Sequence, residues 1–259
     1  MLQSVENIRE KVADFIFCSP MNCVNELGEM QIFETPLVGV AHAEDQIFQK
    51  LKKEEIIGPH HMEPVEWLHG AQVVISYFLP FSHRVIASNR LLKEIPSTEW
   101  LYGRIEGQAL NNALASYLIK ELEGLGGKAI APALDTRFSV VNRKSNWSER
   151  HVAFIAGLGT FNLSKSLITK KGCAGRYGSV ITNIKFPITE RPYKDIYEYC
   201  NNCGACIKRC PALAISEEGK DHGLCSNFID ENIVPRFKPR YGCGKCQTGV
   251  PCEASIPNK

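Results

Sequence analysis

CNNCGACIKRCP, residues 200–211, places four cysteines within eleven positions and sets how the rest of the chain is interpreted. Two residues separate the first three cysteines from one another, three residues precede the fourth, and a proline follows it. Three thiolates in a tight turn can hold three corners of a [4Fe-4S] cube, whereas the fourth lies on a new helical turn and faces away. The spacing therefore predicts one cluster here and requires further ligands elsewhere.

The end of the chain supplies four more cysteines. Cys225 stands alone, and the other three lie in YGCGKCQTGVPCE. In two-cluster bacterial ferredoxins the fourth cysteine of a run ligates the other cluster. This rule predicts two ligand sets. The first ligand set is Cys200, Cys203, Cys206 and Cys252. The second ligand set is Cys210, Cys225, Cys243 and Cys246. Paired zinc sites are the alternative, but zinc rarely uses three thiols in seven residues followed by Cys-Pro.

Composition bounds the class of protein. The chain has 259 residues, 44% of them hydrophobic, and carries 30 Lys and Arg against 28 Asp and Glu. This length allows one substantial core and a smaller module, and the near-neutral balance gives no strong signal of nucleic-acid binding. No apolar run reaches the roughly 20 residues of a membrane span, and MLQSVENIREKVADFIFC is typical of an amphipathic helix, which predicts a cytoplasmic protein.

Three cysteines belong to neither ligand set and are predicted to be buried thiols, namely Cys18, Cys23 and Cys173.

Mixed helix and strand are predicted for the first two thirds of the chain. Apolar runs rich in β-branched residues predict buried strands at residues 35–43 and 71–80. Leucines at helical spacing predict a helix over residues 105–125, which two glycines end. A strand at residues 128–135 then completes a strand–helix–strand unit with a crossover.

The next segments lead to a domain boundary. Asn146 is predicted to cap a helix over residues 147–156 that Gly157 ends. SLIT and GSVITNI are predicted to form a hairpin, and the prolines and mixed charges of PITERPYKDIYEY predict a boundary. We therefore expect an α+β chain, with a core domain over residues 1–190 and a ferredoxin-like module with two clusters over residues 191–259.

Several of these stretches resemble one known family. SERHVAFIAGLGTFNLSKSLIT, GRYGSVITNI, the cysteine run and YGCGKCQTGVPCE together resemble epoxyqueuosine reductases and their relatives, which include the catalytic half of reductive dehalogenases. The resemblance is strongest over residues 147–257 and can be traced upstream in VVISYFLPF and WLYGRIEGQALNNALASYLIKELEGLGGKA. It implies a nitroreductase-like core that holds a base-off cobalamin beside one cluster.

The resemblance also implies residues around this cofactor. A glycine-rich turn lets the backbone approach a large planar ligand because no Cβ intervenes, so the cofactor-binding residues are predicted to be Gly157, Leu158, Gly159 and Thr160, with Arg176 in the hairpin. An ordinary helix C-cap explains Gly157 equally well. A solvated hairpin charge is the simpler account of Arg176.

The proton donor of the family is missing from its expected position. Aligned on Glu149, the family's Asp position falls at Arg143. The remaining candidates for a catalytic acid are Asp135, Glu149, His151 and Tyr102. His151 has a suitable intrinsic pKa, although a histidine on an apolar helix face is usually a hydrogen-bonded core residue. The pair at positions 60 and 61, His-His, is predicted to lie in a surface loop without metal.

The leading hypothesis is an iron–sulfur oxidoreductase in which two [4Fe-4S] clusters reduce a bound cobalamin that acts on a small or unknown substrate. An external ferredoxin or flavodoxin is the expected electron donor, and tRNA is a less favoured substrate. Two alternatives remain open, which are a ferredoxin-type carrier that serves another enzyme and a reductase whose core holds flavin.

Overall fold

The computed structural model describes residues 4–258, which form one central sheet flanked by helices and a cysteine-bearing tail. The helices are α1 (Val5–Cys18), α2 (Gln46–Lys50), α3 (Pro64–Trp67), α4 (His83–Leu91), α5 (Thr98–Gly124), α6 (Glu149–Ile155), α7 (Ala205–Lys208), α8 (His222–Phe228) and α9 (Val234–Phe237). The strands are β1 (Cys23–Val24), β2 (Met30–Gln31), β3 (Leu37–His42), β4 (Val73–Pro80), β5 (Ala129–Ile130), β6 (Val140–Val141), β7 (Lys144–Ser145), β8 (Gly159–Phe161), β9 (Leu167–Thr169), β10 (Gly175–Thr182), β11 (Ile215–Ser216) and β12 (Gly219–Lys220). The predicted mixture of helix and strand is confirmed.

The central sheet has four strands in the order β3-β4-β10-β5, and all neighbours are antiparallel. The pairing of β4 with β10 runs from Gly175 opposite Pro80 to Thr182 opposite Val73. All eight residues of β4 are buried. Seven of these residues are apolar or aromatic and Ser76 is the exception, as expected of a strand whose two faces are covered by helices.

Each face of the sheet has its own apolar layer. Helices α1 and α5 cover one face, where Val12 and Leu114 pack with Ile75 and Tyr77 of β4. Helices α2, α3 and α6 cover the other, where Trp147 lies in a cluster with Val74. Two layers of helix around one sheet bury apolar side chains from both sides.

The long helix α5 connects strands β4 and β5, as the predicted crossover requires. Both strands pair antiparallel with β10, so they run parallel to each other with β10 between them. The helix begins earlier than predicted because the Ser97 hydroxyl accepts a hydrogen bond from the backbone N–H of Trp100 at 3.1 Å. The strand after the helix is shorter than predicted because Pro132 opens a 3₁₀ turn and cannot donate to a ladder.

The predicted SLIT–GSVITNI hairpin is wrong. Strand β9 pairs with β8, from Gly159 opposite Thr169 to Phe161 opposite Leu167. Strand β10 instead enters the central sheet. Strands of three residues carry little pairing information of their own, so their partner is set by the surrounding packing.

The predicted cap of α6 is also wrong. The helix begins at Glu149 with Ser148 as its N-cap. The Asn146 side chain instead closes the loop before it, since its Oδ1 accepts from the Ser139 N–H at 3.0 Å and its Nδ2 donates to the Arg137 carbonyl at 2.9 Å. The predicted end of the helix is confirmed, because Gly157 follows it with a φ of +82°.

Three further expectations about exposure differ from the structure. Cys18 and Cys23 are exposed, whereas Cys173 is buried as predicted. His61 is only 1% exposed and stacks on Trp147, with ring centroids 6.0 Å apart, so it does not lie in a surface loop.

In the part of the chain that is described, no helix has the length and apolarity to cross a membrane.

We expect Gly159→Ala to destabilise the fold. A Cβ at this position would overlap the carbonyl oxygen of Ile168 in the paired strand, and forced overpacking typically costs about 1–3 kcal/mol. Gly124→Ala at the end of α5 is the matched control, because a Cβ there meets nothing within 4 Å. Urea unfolding followed by circular dichroism should show a lower midpoint for the first variant only, and equal midpoints would contradict this account of β8 and β9.

Candidate redox site

The structure brings the first ligand set around one cavity. Cys200, Cys203, Cys206 and Cys252 line it together with eight other residues. None of the described residues in this lining carries a charge, since the remainder are Asn162, Leu163, Ile168, Asn201, Gly204, Val250, Pro251 and Pro257. The first cavity is therefore a neutral, largely apolar shell around four thiols.

Local backbone geometry places these thiols. Asn202 and Gly204 have positive φ values of +52° and +67°, which turn the chain sharply before α7 carries Cys206 inward. Asn162 donates a hydrogen bond from its Nδ2 to the Cys252 Sγ at 3.6 Å. Burial, followed by the neighbouring thiols, raises the pKa of Cys206 to about 12. Such thiols ionise readily only when a cation binds them.

The second ligand set lies where the tail meets the core. Cys210, Cys225, Cys243 and Cys246 line a second cavity of about 160 Å³. Phe81, Trp100 and Gly175 form part of its core side. The two sets are neighbours, because the Cys246 thiol contributes to the raised pKa of Cys206.

Two glycines press the second ligand loop against the core. Gly242 and Gly244 have φ values of +119° and +69°, which favour glycine. A Cβ at Gly244 would overlap the Trp100 ring, and one at Gly242 would overlap the Arg104 side chain. Cys243 between them is thus held against the start of α5.

All charged side chains in the described wall of the second cavity are cationic. They are Arg104, Arg150, Arg176, Lys220 and Lys245, and the described lining contains no Asp or Glu. Burial, followed by repulsion from Arg104, lowers the pKa of Arg176 to about 9. The second cavity therefore combines four thiols with five basic groups.

The predicted cofactor residues separate into two places. Arg176 lines the second cavity, whereas Gly157 and Leu158 line a different groove of about 720 Å³. Gly159 and Thr160 are buried in β8, where Thr160 accepts a hydrogen bond from the Tyr199 N–H at 2.9 Å. The glycine turn and Arg176 therefore do not line one common space.

The predicted catalytic residues are not all brought together. Glu149 and His151 share α6. Tyr102 lies on α5 under the Arg240 guanidinium, whose Cζ is 3.6 Å from the ring centroid. Asp135 forms an ion pair with Arg137 at 2.8 Å, and Arg137 holds the pKa of Asp135 below its usual value.

Glu149 and His151 differ in which protonation state burial favours. Burial raises the pKa of Glu149 to about 7, although nearby Ser179 and Trp147 oppose part of this shift. Among the described residues neither of its carboxylate oxygens has a hydrogen-bond partner, and both are buried. Burial lowers the pKa of His151 to about 3, and its Nδ1 lies 2.8 Å from the Ser148 hydroxyl. Near neutral pH Glu149 can therefore carry a proton, whereas His151 is uncharged.

The cationic wall was not predicted from the sequence. Its five residues come from α5, α6, β10, β12 and the last cysteine run, so no local pattern connects them. The balanced overall charge also conceals them. The burial of His61 was not predicted either, and its two ring nitrogens have no hydrogen-bond partner within residues 4–258.

Comparisons with known proteins agree with these features. A family model described as a 4Fe-4S binding domain matches residues 193–216, which contain the first cysteine run. The epoxyqueuosine reductase of Bacillus cereus is 32% identical over 148 residues, which are 53% of this chain and 35% of that protein. The aligned segments span only about a third of the length of the curated relatives.

Solved structures share the fold. A reductive dehalogenase, described in terms of B12-dependent dehalogenation, has a TM-score of 0.56 and 15% identity over 85% of this chain and 30% of its own. An epoxyqueuosine reductase with an epoxyqueuosine-modified tRNA-Tyr stem loop has a TM-score of 0.53 and 17% identity over 96% of this chain and 66% of its own. The resemblance to these two groups is confirmed, as are the iron–sulfur module and its place near the C-terminal end. The nitroreductase-like character of the core stays a prediction.

We expect the buried Glu149 carboxyl to make stability depend on pH. Its pKa is about 7 in the folded chain against an ordinary 4.5, so the folded state holds the proton more tightly than the unfolded state. The protonated Glu149 carboxyl contributes its full stabilisation of the folded state below the ordinary pKa. This contribution is lost as the pH rises toward 7. When the pH is raised from about 5.5 to about 8, the unfolding free energy of Glu149→Gln should fall by about 2 kcal/mol less than that of the unmodified chain.

Glu123→Gln is the control for this measurement, because Glu123 is exposed on α5. Urea unfolding at several pH values gives the comparison. If the Glu149→Gln and Glu123→Gln chains show the same pH dependence, the Glu149 carboxyl does not hold a proton in the folded state.

Proposed function

We propose that this chain is a reductase that carries electrons through two [4Fe-4S] clusters to an acceptor bound where the tail meets the core. The single observation that supports this most strongly is the grouping of the eight cysteines. The two ligand sets expected from spacing line two separate cavities, and the second of these cavities adjoins the core. An iron–sulfur protein is also what the matched 4Fe-4S domain supports.

The donor sets suit these clusters. Four thiols in each cavity match the ligands of a [4Fe-4S] cube, and the clusters supply one-electron transfer when they are bound. The chain's own residues hold and separate the two centres. Helix α7 carries Cys206 toward the first cavity, and Cys210 follows it at the second. Cys203 is exposed, so the first cavity is the side at which an external ferredoxin or flavodoxin would deliver electrons.

A buried corrinoid does not fit the second cavity. Its volume of about 160 Å³ lies below the roughly 300–1,000 Å³ of pockets that bury drug-sized ligands, and a corrin ring is larger still. The groove beside Gly157 and Leu158 is larger, but Glu6, Glu10 and Glu190 line it and no cysteine does among the described residues. We therefore favour a small acceptor over cobalamin in the second cavity.

Cobalamin remains the second candidate acceptor, because the fold resembles a reductive dehalogenase described as B12-dependent. Titration of the anaerobic two-cluster protein with a base-off corrinoid separates the two candidates. The cavity volume predicts no saturable change in the cobalt absorption spectrum at micromolar concentrations. A saturable change would make the corrinoid the acceptor, and flavin absorbance after purification would instead favour a flavin reductase.

The tRNA substrate of the relatives is not the one that we favour. The position aligned with the family's acid is Arg143, which lies exposed in the turn between β6 and β7 with a φ of +63°. This residue cannot supply a proton near neutral pH. A carrier role for the chain would require no acceptor beyond the second cluster. We favour a reductase because core residues, among them Arg104, Arg150 and Arg176, line the second cavity beside its cysteines.

We expect anaerobically purified protein to contain about eight iron and eight sulfide per chain, as two cubes require. Cys243→Ser should reduce the iron to about half or less, because it removes one ligand of the second set. Cys23→Ser is the control, since this exposed cysteine belongs to neither set. Zinc in place of iron, or unchanged iron in Cys243→Ser, would overturn the assignment.

A further inference from the structure

We propose that the second cavity binds a small oxyanion, a carboxylate or phosphate group, through Arg150 and Arg176 beside the second cluster. This inference rests on the proposed function and names the chemical class of its acceptor. It follows from a cluster of partly buried positive charges that the described part of the chain does not neutralise and the cluster neutralises only in part.

Four of the five basic residues of the cavity wall have neutral partners, which are Arg104, Arg150, Arg176 and Lys245. The Arg150 Nη1 donates to the Lys165 carbonyl and the Arg176 Nη2 to the Arg104 carbonyl, each at 2.5 Å. The Arg104 guanidinium lies 4.0 Å from the centroid of the Tyr241 ring. Lys245 donates to the backbone carbonyl and side-chain oxygen of Asn89, both at 2.8 Å.

Acidic groups elsewhere do not compensate this charge. None of the ion pairs formed by the described residues includes any of the five cations. The charges that act on Arg176 come from Arg104, Tyr241 and Arg150, with no carboxylate among them. Glu106, on the same helix as Arg104, is paired with Arg240 instead.

A bound cluster would neutralise only part of the positive charge of the cavity wall. A [4Fe-4S] centre with four thiolates carries a net negative charge of about two in its oxidised form. The cavity wall carries five cations, of which Lys245 is turned toward Asn89. The remaining four are partly buried and lack an anionic partner in the described part of the chain, so a further anion beside the cluster would stabilise the site.

Arg176 is a cavity residue whose donors the protein does not fully satisfy. The residue lines the cavity, and its buried Nε has no hydrogen-bond partner among residues 4–258. A buried N–H without a partner costs free energy until it is paired. Guanidinium groups match the two oxygens of a carboxylate or phosphate. The volume of about 160 Å³, which also has to hold the cluster, restricts the ligand to a small anionic group.

The test uses anaerobic protein with both clusters, reduced by light and deazaflavin with an amine as the sacrificial electron donor, so that no anionic reductant is added. Phosphate and acetate are the probes, with chloride at equal ionic strength as the reference. Calorimetry should show saturable binding of at least one probe, and EPR-monitored redox titration should show a lower reduction potential for one cluster only. An added negative charge opposes reduction of the nearby centre.

Arg176→Gln should weaken binding by about tenfold or more, since a charge-assisted hydrogen bond is lost. Arg150→Lys, which keeps the charge, is a second variant with an expected smaller loss. Arg9→Gln is the control, because Arg9 pairs with Glu6 outside the cavity. If the clusters do not assemble, the proposed function and this inference both fail. If both clusters assemble but neither probe binds or changes a potential, only this inference fails.

Discussion

A pair of backbone hydrogen bonds holds the cysteine tail to the sheet. The Cys173 N–H donates to the Cys252 carbonyl at 2.9 Å, and the Ala174 N–H donates to the Glu253 carbonyl at 3.2 Å. Gly172 permits this approach, because a Cβ there would overlap the backbone of Glu253 and Ala254. These contacts bring the last ligand of the first set to the residue that precedes β10. Arg176, near the start of that strand, then faces the second cavity, so one strand positions parts of both centres.

Features encoded by local spacing could be predicted from the sequence. The two ligand sets followed from the intervals between cysteines, and the apolar stretch that forms β4 followed from its β-branched content. Each predicted ligand set lines one cavity, and the binding of a cluster by each set stays a prediction that rests on the spacing.

Features decided by tertiary packing were not predictable in the same way. Strand β10 pairs with β4 and β5 rather than with its neighbour in sequence. Asn146 closes a loop instead of capping a helix because two backbone groups of that loop are within its reach. The cationic wall is the clearest case, since its members are brought together only by the folded chain.

The difference in lining between the two cavities has a consequence for the direction of charge movement. The first shell is neutral, whereas basic groups surround the second. Positive surroundings stabilise the more negative, reduced state of a metal centre. An electron that enters near Cys203 would therefore lose free energy as it moves to the second centre. Its return to the surface would be unfavourable for the same reason.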